Sequence, residues 1–211
     1  MRLVEIQIGS GTTATLHSSD EEPGTVHKRV RGRALFRNMA ELQSDPYFQF
    51  INMIKQGNRL DNRFFPRIYN IETTQDARGL GYNVEMERLE RFDMLTEEEA
   101  RNIGNQLFHN FDAMRSFEDA KVRRKRGVPG ATKEPAKAFL LEAIVDLLEL
   151  SFSRQRIRIQ PSSIKDPEFA RAIALIRGLM KKQQLYSDMH EGNVMFRRTP
   201  HGPQLVIIDP V

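Results

Sequence analysis

Two aspartates and an asparagine near the end of the 211-residue sequence are spaced for phosphoryl transfer. Asp188 and Asn193 stand five apart in Leu185-Tyr-Ser-Asp-Met-His-Glu-Gly-Asn-Val-Met-Phe196, and Asp209 follows an apolar segment in Gln204-Leu-Val-Ile-Ile-Asp-Pro-Val211. One carboxylate can orient an attacking hydroxyl, while the amide oxygen and the second carboxylate hold Mg²⁺ against nucleotide phosphates. Mg²⁺ suits such a set, because it takes one or two protein carboxylates and completes its shell with phosphate and water. Taken alone, these residues are equally a polar loop and a core hairpin, since Asp and Asn are common in loops.

The elements that must position them can be read nearby. The step from Asp188 to Asn193 is too short for a helix, and Gly192 permits a tight turn there. Val194-Met-Phe196 reads as a short strand, 197–203 as a turn-rich connection and Leu205-Val-Ile-Ile208 as a second strand of β-branched character. A hairpin of this kind returns the chain, so Asp209 at its exit is expected beside Asn193 at its entrance. His190 is expected to brace the loop by hydrogen bonding rather than to move protons, because Asp188 is the better-placed base. The other histidines show no ligand spacing with it.

The front of the chain adds ordered signals. Ile6-Gln-Ile8 reads as a strand running into Gly9-Ser10-Gly11-Thr12-Thr-Ala14-Thr-Leu16. This G-x-G-x-x-A-x-L is close to the G-x-G-x-x-G-x-V loop that covers ATP phosphates, with Ala14 at the third glycine. Glycines there let backbone N–H groups approach phosphate oxygens. Thr25-Val-His-Lys28-Arg-Val30 reads as a strand carrying a lysine in the place of a phosphate-pairing one. Gly81-Tyr-Asn-Val-Glu85-Met-Glu87-Arg-Leu-Glu90 reads as an alternating strand ending in a polar stretch, suited to binding adenine through backbone groups. Each signal alone has a plainer account: a hairpin turn, an edge-strand lysine, a core strand. Their order over nearly the whole chain is the stronger signal.

In that order the motifs resemble the protein-kinase-like fold. Asp188-Met-His-Glu-Gly-Asn193-Val-Met-Phe196 with Asp209-Pro-Val211 most closely resembles the early serine/threonine kinases of short-tailed coliphages (the T-seven group), whose segment is D-M-H-x-G-N-[IV]-M-F followed by a strand and D-P-V. The likeness is specific over about the last 25 residues and at the level of pattern before them. It implies ATP as donor, Mg²⁺, and transfer to host-protein hydroxyls during infection, with D-P-V in place of D-F-G. The RIO-type atypical kinases are a compact parallel. With Asp209 two residues from the end of the sequence, the expectation is a domain whose substrate docking uses no activation loop, A-P-E segment or late helices. The helix-C glutamate is also missing: Asp45 to Lys55, the expected helix C, offers no Glu, leaving Glu41, Gln49 or no partner for Lys28.

Composition sets the frame. Apolar residues are 39% and charged residues 28% of the chain, ordinary for a folded protein. With no cysteine there is no disulfide framework and no thiolate metal site. No apolar run approaches a membrane span, and Met1-Arg-Leu-Val-Glu5 carries no signal-peptide core, so no membrane role and a cytoplasmic location are expected, which the coliphage resemblance implies is the host cell's. The net charge of +4 is uneven. The basic run 121–126 reads as a solvated loop. Arg154, Arg156 and Arg158 alternate, which would suit a substrate groove. Without an aromatic platform, nucleic acid is a less favoured partner.

Between these sites the chain reads as helical. Thr96 caps a helix from Ala100 to about Arg115, with Ile103, Leu107, Phe111 and Met114 inward. Glu134-Pro135 opens a second, with Phe139, Ile144, Leu147, Leu148 and Leu150 inward. Asp166-Pro167 starts a third, Glu168 to about Gln184, burying Phe169, Ala172, Ile173, Ile176 and Met180.

The expectation is therefore an α+β, compact protein-kinase-like fold in one domain over residues 1–211. It has an N-terminal β-sheet lobe (1–90) and a truncated, mainly helical C-terminal lobe (91–211). Asp188 and Lys28 are the catalytic candidates. Gly9, Ser10, Gly11, Thr12, Lys28, Glu85 and Glu87 are the nucleotide-binding candidates, and Asn193 and Asp209 the metal ligands. Two other functions fit the same residues: a weakly catalytic kinase fold that binds and inhibits a host protein, and a small-molecule phosphotransferase.

Overall fold

A computed structural model describes residues 5–10, 14–19, 24–30, 36–56, 62–77, 79–116, 135–148, 159–184 and 190–210. The chain is α+β and divides into two compact units, residues 1–61 with 65–89, and residues 62–64 with 90–211. No helix among the described residues is long and apolar enough to cross a membrane.

The first unit is an antiparallel five-stranded sheet in the order β1-β2-β3-β5-β4. The strands are β1 (Glu5–Ser10), β2 (Ala14–Ser19), β3 (Thr25–Val30), β4 (Ile68–Asp76) and β5 (Gly79–Glu87). Period-two alternation sorts β3 and β5 into faces. Val26 pairs with Met86, Lys28 with Val84 and Val30 with Tyr82, and the five apolar members of these pairs are buried. His27, Arg29, Asn83 and Glu85 alternate with them and take the other face.

Two helices follow β3. Asn38 caps α1 (Met39–Ser44) by accepting the Glu41 N–H at 2.9 Å. α2 (Pro46–Gln56) begins after Asp45, whose carboxylate accepts the Phe48 N–H at 2.8 Å. Pro46 forces the break, because the residue before a proline is pushed out of the helical region and Asp45 takes ψ 126°. Tyr82, fully buried, ties β5 to this junction through its hydroxyl, which donates to Asp45 at 2.7 Å.

The second unit joins a small sheet to helices. β6 (Glu90–Arg91), β7 (Val194–Thr199) and β8 (Gly202–Ile207) are antiparallel, with β7 central. The connection expected over 197–203 is mostly strand. Arg197 to Thr199 extend β7, and only Pro200 and His201 turn, ahead of Gly202 at φ 102°. Thr199 closes this turn, its hydroxyl donating to the Gly202 carbonyl and accepting the His201 N–H.

α3 (Glu97–Leu107) starts with a reciprocal cap in which Thr96 and Glu99 each accept the other's backbone N–H. It does not run on to Arg115 as its apolar spacing suggests. Phe108 leaves the helix to bridge Ile164, Asn110 adopts φ 56°, and a further helix, α4, is described over 111–116. Close packing accounts for the break: Phe111 folds back onto Gly104, where a side chain would collide with its ring. α5 (Ala136–Leu148) follows, and α6 (Pro167–Gln183) starts where Asp166 accepts the Glu168 and Phe169 N–H groups. The five residues expected inward on α6 are buried. Phe64, Phe108, Phe111, Phe139 and Phe169 form one chain of ring contacts at the centre of the unit.

Candidate functional site

The backbones of the metal-ligand candidates Asn193 and Asp209 come together at one end of the β7–β8 ladder. A 3₁₀ turn over Glu191–Asn193 leads into β7. His190 caps it, Nδ1 accepting the Gly192 N–H at 3.0 Å, and the His190 carbonyl accepts the Asn193 N–H at 2.9 Å. His190 thus braces the loop. Val194 pairs with Ile207, and beyond that pair the Ile208 N–H donates to the Asn193 carbonyl at 3.1 Å. Asn193, 9% exposed, and half-buried Asp209 therefore leave adjacent strands at the same end. The Ile207 N–H donates to the Phe64 carbonyl at 2.8 Å and anchors that end.

An amide oxygen and a carboxylate are hard donors of the kind that fit Mg²⁺. Among the described residues no three or more His, Cys, Asp or Glu form a metal cluster, so the rest of the shell would come from phosphate, water or a residue not described. Asp188 lies outside the described residues, as do Gly11, Thr12 and the arginines at 154, 156 and 158.

Lys28 sits in β3 on the face shared with Val26 and Val30. Its Nζ lies 3.6 Å from the centroid of the Tyr47 ring, on α2. The Glu41 carboxylate accepts instead from Arg37, the backbone N–H at 2.8 Å and Nε at 3.2 Å. These bonds hold the Glu41 carboxyl below its usual range, the backbone N–H contributing most. Glu41 is therefore not the lysine's partner; its place near the start of a six-residue helix turns it to its own first turn. The Gln49 side-chain amide donates to the Gln43 carbonyl at 2.8 Å.

The remaining nucleotide candidates are placed differently from expectation. Gly9 and Ser10 are not in a loop: they complete β1, paired with Leu16 and Thr15 after a register shift that leaves Ile8 unpaired. Glu85 lies inside β5 between His27 and Asn70, so its N–H and C=O face flanking strands, and its side chain points away from the Lys28 face. Glu87 is 8% exposed and engaged with Arg67: its N–H donates to the Arg67 carbonyl at 3.0 Å, and its carboxylate accepts the Arg67 N–H at 2.9 Å. The strand ends at Glu87, and the next N–H, that of Arg88, donates to the Gly24 carbonyl at 2.8 Å.

Two features escaped the sequence. Tyr47 carries no signal of its own in the sequence, and only the packing brings it to Lys28. A depression of about 150 Å³ beside Asn193 is lined by Arg91, Phe92, Asp93, Glu191, Gly192, Val194 and Met195. Its far wall exists because Arg91 pairs with Met195 across β6 and β7, a long-range pairing that two exposed residues do not announce. Arg91 is held there by Asp93 at 2.5 Å.

No protein-family model matches the chain, and no curated protein matches it. Among solved structures, a microcompartment-associated aminopropanol kinase is similar at a TM-score of 0.37 with 12% sequence identity, over 98% of this chain and 63% of that one. The chain thus spans under two thirds of that structure's length. A likeness at this level bears on neither activity nor acceptor.

Proposed function

We propose that the protein is an ATP-dependent serine/threonine protein kinase of the phage type, acting on host proteins in the host cytoplasm. The observation that carries the reading is the seating of Asn193 beside Asp209 by the last rung of the β7–β8 ladder, within a segment spelled Asp188-Met-His-Glu-Gly-Asn193 and Asp209-Pro-Val211. Asn193 and Asp209 would hold Mg²⁺, which neutralises charge on the β- and γ-phosphates and fixes their orientation. Asp188 orients the acceptor hydroxyl and accepts its proton as the γ-phosphoryl group passes in line from the ADP oxygen to the hydroxyl oxygen. Lys28 would steady the donor phosphates, and Gly9, Ser10, Gly11 and Thr12 would offer them backbone N–H groups. His190 caps the turn that leads into Asn193.

The test is phosphoproteomics after incubating host lysate and ATP with the wild type or with Asp188→Asn. New phosphoserine and phosphothreonine sites that vanish in the variant are expected. Identical profiles with an intact effect on the host would favour a binding protein. Transfer only to small metabolites would favour a small-molecule phosphotransferase.

A further inference from the structure

The sheet of the first unit has two edges, β1 and β4, and they are built differently. β1 is six residues long, and its pairing is interrupted between Gln7 and Gly9. β4 runs for nine residues, Ile68–Asp76, where strands average about five to six. Its sequence, Ile-Tyr-Asn-Ile-Glu-Thr-Thr-Gln-Asp, is rich in strand formers and holds no Lys or Pro. Lys and Pro are common guards against pairing with another chain at an edge. The irregularity of β4 falls at its start, between Ile68 and Asn70, and from Asn70 to Asp76 its register with β5 is unbroken. Glu72, Thr73, Thr74 and Gln75 are exposed. Among the described residues no strand pairs with the outer side of β4.

One bond shows which backbone groups point outward. The Ile71 N–H donates to the Asn70 side-chain oxygen at 2.9 Å, so it faces away from β5. Donors alternate along an antiparallel strand, so the N–H and C=O groups of Thr73 and Gln75 face outward with it.

We propose that β4 is a self-pairing edge, joining antiparallel with β4 of a second copy about a twofold axis at Thr73 to make one continuous sheet. A twofold contact requires each strand to complement itself, and the residues select the axis. Thr73 is the midpoint of the regular stretch Asn70–Asp76, so an axis there uses all of it. An axis at Ile71 carries the pairing into the irregularity at Ile68 and Asn70, and one at Thr74 or Gln75 carries it into the turn after Asp76. An axis at Glu72 sets that carboxylate against its own copy, and like charges directly opposite destabilise a ladder. With the axis at Thr73, Glu72 instead meets Thr74 of the second copy, a neutral hydroxyl. The two Thr73 residues exchange N–H···O=C bonds, and each Gln75 N–H meets the other copy's Ile71 carbonyl, about four backbone bonds in all. Tyr69, 48% exposed, comes beside the second copy's exposed Ala77. The competing occupant is a basic strand of another protein, drawn by Glu72.

The chain has no cysteine, so one introduced thiol reports the register. Residues that exchange hydrogen bonds across an antiparallel pair stand about 5.5 Å apart at Cα, within disulfide reach. Thr73→Cys is expected to form a covalent dimer under mild oxidation several times faster than Gln75→Cys, whose two thiols would stand about 13 Å apart along the strand direction. Equal rates would mean random collision and overturn the assignment. Light scattering supplies the second readout. An interface confined to one strand is weak, so dimer mass is expected to grow with concentration. Thr73→Lys sets two ammonium groups against each other at the axis and is expected to abolish the dimer; Thr73→Cys keeps the test standing should the lysine variant not fold. A wild type that stays monomeric at its highest soluble concentration, or a dimer that survives Thr73→Lys in a folded protein, overturns the proposal. Binding of an alternating Lys-Val peptide by such a monomer would assign the edge to a basic partner instead. None of these readouts depends on phosphoryl transfer.

Discussion

The Ile208 N–H donates to the Asn193 carbonyl at 3.1 Å, one step beyond the final Val194–Ile207 pair of the hairpin. Asn193 and Asp209 consequently do not sit on independent loops. Their separation is a property of the ladder, and His190 holds the turn on one side of it while Phe64 receives Ile207 on the other. The backbones that carry the amide and the carboxylate are so fixed, as binding of a small cation with strict geometric demands would require.

Magnesium and nucleotide should therefore stabilise the native state together. At ATP concentrations about 100 times its dissociation constant the gain is about 2.7 kcal/mol, or about 5–10 °C in Tm for a chain of this size. Asp209→Ala should remove the magnesium-dependent part of that shift. Thermal melts with ATP, with and without magnesium, decide it; no shift in the wild type at millimolar ATP rejects nucleotide binding.

Asp188→Asn should separate binding from chemistry. The amide keeps the size of the side chain but is a poor proton acceptor, and a positioned general base contributes about 10²–10⁴-fold. Transfer from labelled ATP should fall by that factor with the ATP-induced Tm shift unchanged. Transfer at the wild-type rate would remove Asp188 from the mechanism.

Two helical glycines should respond oppositely to alanine. At Gly104 an added Cβ would stand 2.4 Å from the ring carbons of Phe111, which is fully buried and has no room to swing away. Overpacking of this kind costs about 1–3 kcal/mol, against about 1 kcal/mol of helix propensity gained, so Gly104→Ala should lower Tm by several degrees. Adding Phe111→Leu should blunt the effect of the alanine. At Gly178, on the exposed side of α6, a Cβ meets nothing within 4 Å, and Gly178→Ala should add about 0.5–1 kcal/mol. Equal melts for the two single variants would contradict the Gly104–Phe111 packing.

The same pair shows where reading a sequence stops. α6 was legible because its signals are local: Asp166-Pro167 starts it, and its apolar residues keep one period to Met180. The hairpin strands were legible for the same reason. The end of α3 was not, because Ile103, Leu107 and Phe111 keep a helical period through the point where Phe108 turns to Ile164. The engagement of Glu87 could not be read, because its partner, the Arg67 backbone, precedes β4 and is distant in sequence. For Lys28 the strand could be read and the partner could not. A search for helix acids finds only Glu41, whereas the contact is a ring that looks like core until the sheet and α2 are packed together.

Acid should loosen the hairpin from α3 through Glu99. Its carboxylate accepts the Thr96 N–H at 2.9 Å and also binds Arg198 of β7, whose guanidinium reaches Glu90 at 3.3 Å as well. The Thr96 N–H and then Arg198 hold the Glu99 carboxyl below its ordinary value of 4.5. A carboxyl lowered on folding adds stability that is fully present above its unfolded value and is lost as pH falls through its folded one. Tm should therefore decline from about pH 5 downward, and Glu99→Gln should flatten part of that decline. Gln at this position can still return a hydrogen bond to the Thr96 N–H, so the variant removes the charge more than the cap. Asp112, lowered mainly by Arg101, supplies a second acid-sensitive contact that Glu99→Gln leaves in place. Melts of the two proteins across the acid range decide the point: parallel curves would mean that the Glu99–Arg198 pair carries none of the acid sensitivity.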